Sequence, residues 1–206
     1  SISFRQALRL SLDRTVADQV ETHWSSALSS VPMGSPLPVK LEVREGLVIE
    51  ERSRLVQATS GQVFQAVTRI GGDAGWPYAN FLWEIRGWID RLLGGVGLRR
   101  GRRSPTELKV GEALDFWRVE AIEENKLLRL RAEMKVPGKA WLEFTIQEQE
   151  SVCWLAQRAI FEPKGLSGLL YWYSVYPLHG IIFKGMINSL ARTAEAANIE
   201  KTRARI

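Results

Sequence analysis

From Glu112 onward, apolar residues tend to occupy every second position in four consecutive segments, LDFWRVEAI, KLLRLRAEMKV, KAWLEFTIQ and SVCWLAQRAIF. This period of two is typical of β-strands with one face buried and the other in water. The stretches between the segments, EEN, PG and EQE, predict turns. The sequence therefore predicts an antiparallel meander of four strands. The last segment alternates least, so we expect it to be buried on both faces.

Two helices are predicted before this meander. The strand-like stretch LVIEERSRLVQA runs into ATSGQVFQAVTRIGG, where Ser60 is the expected N-cap of a short helix. A longer helix is expected from about Ala79 to Leu93, followed by a Gly-Gly pair. One side of this helix is apolar and is expected to be buried: Phe81, Leu82, Ile85, Trp88, Ile89, Leu92 and Leu93. Trp83 falls among the polar residues of the opposite side.

The chain is expected to end in one long helix. Residues 165–183 have no charged side chain, and their length raises the alternative of a membrane span. Serines, tyrosines, a histidine and Pro177 weaken the transfer of this stretch into lipid. We therefore favour a helix that bends at Pro177, continues to about residue 198 and covers the sheet.

The composition supports one core and an N-terminal extension. Of 206 residues, 45% are hydrophobic, which is enough for a core of about 150 residues. Residues 1–40 are expected to form a helical arm and a linker rich in proline and serine, and residues 41–206 the main domain. The single cysteine, Cys153, excludes an internal disulfide and favours a reducing compartment, so we expect a cytoplasmic protein.

The positive charge of the chain is local. The net charge is +5, and four arginines of one turn contribute most of it: Arg99, Arg100, Arg102 and Arg103. Guanidinium groups match phosphate and carboxylate in a bidentate manner, so this turn is a candidate anion-binding site. A solvated loop and a docking contact for a partner domain are the alternatives. Four arginines would neutralise few phosphates, so no nucleic-acid partner is expected.

The order of the predicted elements resembles a known superfamily. ATSGQVFQAVTRIGG and VGEALDFWRVEAIEENKLLRLRAEM are similar to the strand-to-helix entry and the central hairpin of helix-grip domains, the START and polyketide-cyclase-like (SRPBCC-type) superfamily. GGDAGWPYANFLWEIRGWIDRLLGGVGLRRGRR, LDFWRVE and YWYSVYPLHGIIFKGM more closely resemble a bacterial domain of unknown function. In its two-domain proteins, that domain follows an NAD(P)-binding, epimerase-like short-chain dehydrogenase domain.

This resemblance implies an α+β helix-grip fold, in which a curved antiparallel sheet wraps around a long C-terminal helix and leaves a cavity. It also implies a dehydrogenase-like domain in cis that would bind NAD(P). No GxGxxG motif opens a βαβ unit in this chain, so no cofactor is expected within it.

The cavity is expected to bind a hydrophobic or aromatic small molecule. The residues expected to bind it are mainly aromatic: Trp76, Tyr78, Trp83, Trp88, Trp117, Met134, Tyr173 and His179. Packing in the core or plain surface exposure is the alternative for the tryptophans. His179 is also the candidate for acid–base catalysis, although no acidic residue lies within one turn of it. Asp115 and Glu143 are expected to be solvated.

Three classes of function follow. Small-molecule binding, as an accessory to the NAD(P)-dependent domain, is favoured. A cyclase, dehydratase or hydrolase acting in the cavity is the enzymatic alternative. The third is a module that contacts a membrane surface or another protein, including a second copy of the chain. Two distant histidines and one cysteine provide no metal site, and no GxSxG motif indicates a serine hydrolase.

Overall fold

The computed structural model describes residues 40–44, 46–98, 104, 107–149 and 152–203, which belong to a compact unit spanning Pro36–Ile206. The elements in chain order are β1 (Lys40–Arg44), β2 (Leu47–Val56), α1 (Ser60–Thr68), a 3-10 turn (Gly72–Ala74), α2 (Asn80–Leu92), β3 (Ala113–Leu114), β4 (Trp117–Glu123), β5 (Leu127–Ala132), β6 (Gly138–Gln149), β7 (Val152–Pro163) and α3 (Gly165–Arg203). Residues 1–39 of the predicted N-terminal arm and linker, and the turn with Arg99, Arg100, Arg102 and Arg103, lie outside the described residues, whereas Lys40 begins β1. The division of the chain between residues 40 and 41 stays a prediction.

Seven antiparallel strands form one sheet in the order β1-β2-β7-β6-β5-β4-β3. The predicted meander forms one side of this sheet, because β4, β5, β6 and β7 pair in sequence. β7 is an inner strand and is buried on both faces, as its weak alternation predicts. Its other neighbour is β2, in a register that runs from Val48 opposite Phe161 to Val56 opposite Cys153. Burial raises the pKa of the Cys153 thiol to about 11, and the nearby charge of Glu148 adds to the shift.

The C-terminal helix α3 packs against one face of the sheet and spans 39 residues, with Pro177 inside it. Its second half buries one apolar stripe at helical spacing: Ile182, Phe183, Met186, Ile187, Leu190 and Ala194. α1 contacts α3 and the inner strands. The α+β helix-grip fold, a curved antiparallel sheet around a long C-terminal helix, is therefore confirmed. No helix in the described part of the chain is long and apolar enough to cross a membrane.

The start of α1 differs by one residue from the prediction. Thr59, not Ser60, is the N-cap, and its backbone N–H donates to Oε1 of Gln62 at 3.0 Å. Ser60 is the first helical residue, and its hydroxyl donates to Glu148 on β6. Both residues are good N-caps, so the local sequence did not distinguish them.

The predicted bounds of α2 are correct to within about a residue, but its predicted buried face is wrong. The buried residues are Trp83, Gly87 and Asp90. The predicted apolar side is mostly exposed, with large exposed side chains at Phe81, Ile85, Trp88, Ile89, Leu92 and Leu93. Trp88, expected in the core or a pocket wall, is 65% exposed.

Contacts with the following loop explain this orientation. A Cβ atom at Gly87 would lie 2.6 Å from Cβ of Leu98, so the close approach requires glycine. The side chain of Asp90 accepts hydrogen bonds from the backbone N–H groups of Gly97 at 2.9 Å and Lys135 at 2.7 Å. These contacts hold the side of α2 that includes Gly87 and Asp90 against the protein, and the apolar side faces solvent.

Candidate functional site

An apolar pocket of about 120 Å³ lies between α2, the sheet and α3. Its wall is mainly aromatic and aliphatic, with Trp83 from α2, Trp117 from β4 and Tyr171, Trp172, His179 and Phe183 from α3. Ala140 on β6 and Ala159 on β7 also line it, and their small side chains leave space between the sheet and the helix.

The volume of this pocket limits the size of a ligand. It is below the roughly 300–1,000 Å³ of pockets for drug-sized molecules. It is close to the volume of engineered apolar cavities of about 150 Å³ that bind benzene. The pocket therefore matches a single ring or a short chain.

Four of the eight predicted ligand-binding residues line this pocket: Trp83, Trp117, Met134 and His179. The other four lie elsewhere. Trp76 is buried beside Trp83, at 4.5 Å between ring centroids. Tyr78 packs on Gly185, where a Cβ atom would lie 2.2 Å from the Tyr78 ring. Tyr173 is exposed on α3. Contact of any of these residues with a ligand stays a prediction.

Trp88 lines a different depression. This depression has a volume of about 410 Å³ and is bordered by Glu84, Gly87, Arg91 and Leu98. It is wide open to solvent and has two charged side chains at its edge. An open, charged depression excludes little water, so we take the smaller apolar pocket as the candidate site.

The loop before α2 is fixed by Asp115. Nε1 of Trp76 donates to Oδ2 of Asp115 at 2.8 Å, and the backbone N–H of Gly72 donates to the same carboxylate at 3.3 Å. Asp115 has a positive φ of 56°. The expectation that Asp115 is solvated is therefore wrong, because the carboxylate is buried and hydrogen-bonded.

Glu143 is also buried, on the face of the sheet opposite to the one that α3 covers. Its carboxylate lies 2.6 Å from Nη2 of Arg129 and 3.6 Å from Nη1 of Arg158, its cross-strand neighbours on β5 and β7. Arg158 in turn contacts Glu51 at 2.7 Å. The expectation that Glu143 is solvated is wrong, since the register places opposite charges side by side and lets the carboxylate be buried.

Sequence reasoning missed one residue beside the pocket, Glu50 on β2. Glu50 is 1% exposed, and its Oε1 contacts Arg52 on the same strand. Its Oε2 lies 3.7 Å from Nδ1 of His179. The signal was present in LVIEERSRLVQA, because a period of two places Glu50 on the same face as Val48 and Val56. The acidic partner of His179 comes from the sheet and not from its own helix.

Opposing effects set the pKa of Glu50. Burial raises it, but the contacts with His179 and Arg52 lower it by more, so it lies below its ordinary value. The carboxylate is therefore ionised at neutral pH. The ring of His179 is held by an edge-to-face contact with Trp172, at 5.1 Å between centroids, and by Phe183 at 4.7 Å. Across the described ranges, no group of three or more His, Cys, Asp or Glu side chains is placed to hold a metal ion.

The sequence profile of one family covers most of this fold. The profile of DUF2867, described as a protein of unknown function, matches residues 46–186, from β2 into α3. The chain belongs to this family. The match supports the predicted resemblance to an uncharacterised domain, while the NAD(P)-binding neighbour stays a prediction. A search of curated proteins found no significant match.

Solved structures with similar chains are remote in sequence. EF2215 from Enterococcus faecalis, a conserved protein of unknown function, is 12% identical over 81% of this chain and 91% of its own, with a TM-score of 0.40. CalU16 from Micromonospora echinospora is 9% identical over 81% of this chain and 96% of its own, with a TM-score of 0.38. StfQ, a di-domain ARO/CYC from the steffimycin biosynthetic pathway, is 12% identical over 80% of this chain and 54% of its own, with a TM-score of 0.43. Similarity at this level says nothing about function.

Proposed function

We propose that this domain binds a small, largely apolar molecule with an aromatic ring, in the pocket between the sheet and α3. The unfilled space of about 120 Å³ among aromatic side chains is the observation that supports the proposal most strongly. Protein interiors are normally close-packed, and each unfilled volume costs stability. An apolar pocket retained next to a well-packed helix therefore favours a role for a ligand.

The size of the pocket also sets the expected affinity. A ligand of six or seven non-hydrogen atoms gains at most about 1.5 kcal/mol per atom, and burial of one ring contributes about 1.5–3 kcal/mol. These two limits correspond to dissociation constants of about 0.1 µM and about 10 mM, and we expect single-ring molecules to bind between them.

The test fills the pocket with a larger side chain. Ala140→Leu places three more carbon atoms in the wall, and we expect toluene binding, followed by ligand-observed NMR, to fall below detection. Ala196→Leu is the matched control, because Ala196 is exposed on α3. Binding of toluene to Ala140→Leu as tight as to the parent chain, or no binding to the parent chain, would refute the proposal.

We further propose that the domain assists an NAD(P)-dependent, epimerase-like domain in the same polypeptide. The resemblance of the α2 region to the family described above supports this proposal. NAD(P) would be bound by that partner domain. This chain alone should therefore not change NADH fluorescence, and a change would contradict the placement of the cofactor in the partner domain.

A second candidate function is contact with an anionic membrane surface. Two helices that flank the pocket expose large apolar side chains: Phe81, Ile85, Trp88 and Leu92 on α2, and Leu166, Leu170, Tyr173 and Ile181 on α3. Exposed apolar patches of this kind mark interaction sites, and tryptophan and tyrosine favour the membrane interface.

Co-sedimentation with vesicles that contain anionic lipid tests this function. The double variant Trp88→Ser/Leu92→Ser should reduce the bound fraction, while Ala196→Leu should leave it unchanged. If the variant sediments like the parent chain, or if the parent chain dimerises through this face and ignores vesicles, the membrane function is refuted.

A further inference from the structure

The wall of the pocket is mainly aromatic and aliphatic, and His179 and Arg86 are polar side chains in it. His179 forms one polar edge. His179 lines the pocket, while Glu50 and Arg52 lie behind it on β2. The ring of His179 has an orientation fixed by Trp172 and Phe183. Its Nδ1 is buried and faces Oε2 of Glu50 at 3.7 Å. The remaining ring nitrogen, Nε2, has no hydrogen-bond partner among the described residues.

The charges around this edge compensate each other. Arg52 contacts the carboxylate of Glu50, so this buried pair has no net charge. Arg86, which also lines the pocket, lies 3.6 Å from the carboxylate of buried Asp90 and donates to the backbone oxygen of Lys135 at 3.0 Å. With a neutral imidazole, the pocket and its surroundings are therefore electrically neutral.

The position of Glu50 determines which nitrogen of the neutral imidazole is protonated. A carboxylate accepts hydrogen bonds and does not donate them when ionised. The proton of the imidazole is therefore favoured on Nδ1, where it faces Oε2, and Nε2 keeps its lone pair. This nitrogen can accept a hydrogen bond from a ligand in the pocket.

We propose that His179 accepts a hydrogen bond from the hydroxyl group of a neutral phenol or enol bound in the pocket. Glu50 is the positioning residue, because it keeps the proton on the opposite nitrogen. This inference rests on the proposed binding function and narrows its ligand class. A carboxylate ligand would bring an uncompensated negative charge next to Glu50, and a hydrocarbon could not donate a hydrogen bond to Nε2.

The first experiment compares three single-ring probes, phenol, toluene and benzoate, at neutral pH. The measured quantity is the ratio of the toluene and phenol dissociation constants in the parent chain and in His179→Phe. Phenylalanine keeps an aromatic ring beside Trp172 but cannot accept the hydrogen bond. One such bond corresponds to about a fivefold change, so the preference for phenol should fall at least about fivefold in this variant. Toluene affinity should stay within about twofold, which also reports that the pocket is intact.

The outcomes separate this inference from the binding function. If neither phenol nor toluene binds the parent chain, the proposed function and this inference both fail. If both bind and the ratio is the same in His179→Phe, the pocket is real but the hydrogen bond is refuted. Tighter binding of benzoate than of phenol to the parent chain also refutes it, because the site would then select an anion.

A second measurement determines the tautomer of His179 directly in the parent chain. Nitrogen-15 chemical shifts of the imidazole distinguish the two neutral tautomers, and His23→Gln removes the signals of the other histidine. We expect the Nδ1–H tautomer for His179 in the parent chain and a shift toward the Nε2–H tautomer in Glu50→Gln. An Nε2–H tautomer in the parent chain would overturn the role of Glu50, whether or not the variants fold.

Discussion

The helix α2 and the second half of α3 are both amphipathic, but α3 buries its apolar side and α2 exposes most of its apolar side. In α3 the apolar stripe with Met186 and Leu190 is buried against the sheet. In α2 the apolar side is exposed, and the side with Gly87 and Asp90 is buried. An apolar stripe thus predicts the buried face where a helix covers a sheet. It fails where a helix is held by polar and close backbone contacts to a loop.

The largest expected difference between the two helices is in the cost of truncation. Met186→Ala removes a fully buried side chain from α3 and should lower the free energy of unfolding by about 2–5 kcal/mol. Trp88→Ala removes a larger but exposed side chain from α2 and should change it by less than about 0.5 kcal/mol. Urea unfolding followed by circular dichroism measures both. Equal losses would show that the apolar side of α2 is buried after all.

The next largest effect concerns the hydrogen bonds that Asp90 of α2 accepts. Asp90→Ala leaves the backbone N–H groups of Gly97 and Lys135 without their acceptor, so we expect a loss of about 2–4 kcal/mol. Asp73→Ala is the control, because Asp73 is exposed in the 3-10 turn. The same unfolding measurement applies. A loss no larger than that of the control would mean that Asp90 does not orient the helix.

Two glycine-to-alanine substitutions should change the stability of the domain in opposite directions. Gly87→Ala in α2 would place Cβ 2.6 Å from Cβ of Leu98 and should destabilise the domain by about 1–3 kcal/mol. Gly180→Ala in α3 meets no atom within 4 Å and should stabilise it by up to about 1 kcal/mol. Thermal unfolding of the two variants resolves the sign. If Gly87→Ala were neutral, the close packing of α2 on the following loop would be refuted.

The smallest expected effect is a pH dependence of the free energy of unfolding, caused by Glu50 beside α3. The pKa of Glu50 is lowered in the folded protein from its ordinary value of 4.5. The unfolded chain therefore takes up the proton first as the pH falls. Glu50 contributes stability above about pH 4.5 that is lost as the pH drops through its lower folded pKa. The stability difference between the parent chain and Glu50→Gln should narrow on acidification, whereas that for Glu200→Gln, an exposed site on α3, should not. A difference independent of pH would contradict the lowered pKa.

The fold was predictable because its strands follow a strong period of two. LLRLRA and its neighbours alternate along each strand, and one uncharged, uninterrupted stretch indicated α3. The registers that join the strands were not predictable, because they depend on pairing between distant segments. This is why Glu143 was wrongly expected to be solvated: its two arginine partners lie on other strands.

The candidate site was predictable in part. Trp83, Trp117, Met134 and His179 were identified because large or polar side chains are visible in a sequence. Ala140 and Ala159 were not, because empty space is created by small residues that carry no signal of their own. The contact of Glu50 with His179 joins the second strand to the last helix, so no local spacing could indicate it.

The burial of Cys153 gives the chain a built-in reporter of global opening. Its thiol is buried and its pKa is raised to about 11, so we expect it not to react with disulfide reagents while β2 and β7 remain paired. The rate at which this thiol is labelled therefore reports how often the inner strands separate. A bound ligand should lower this rate in proportion to the occupancy of the pocket.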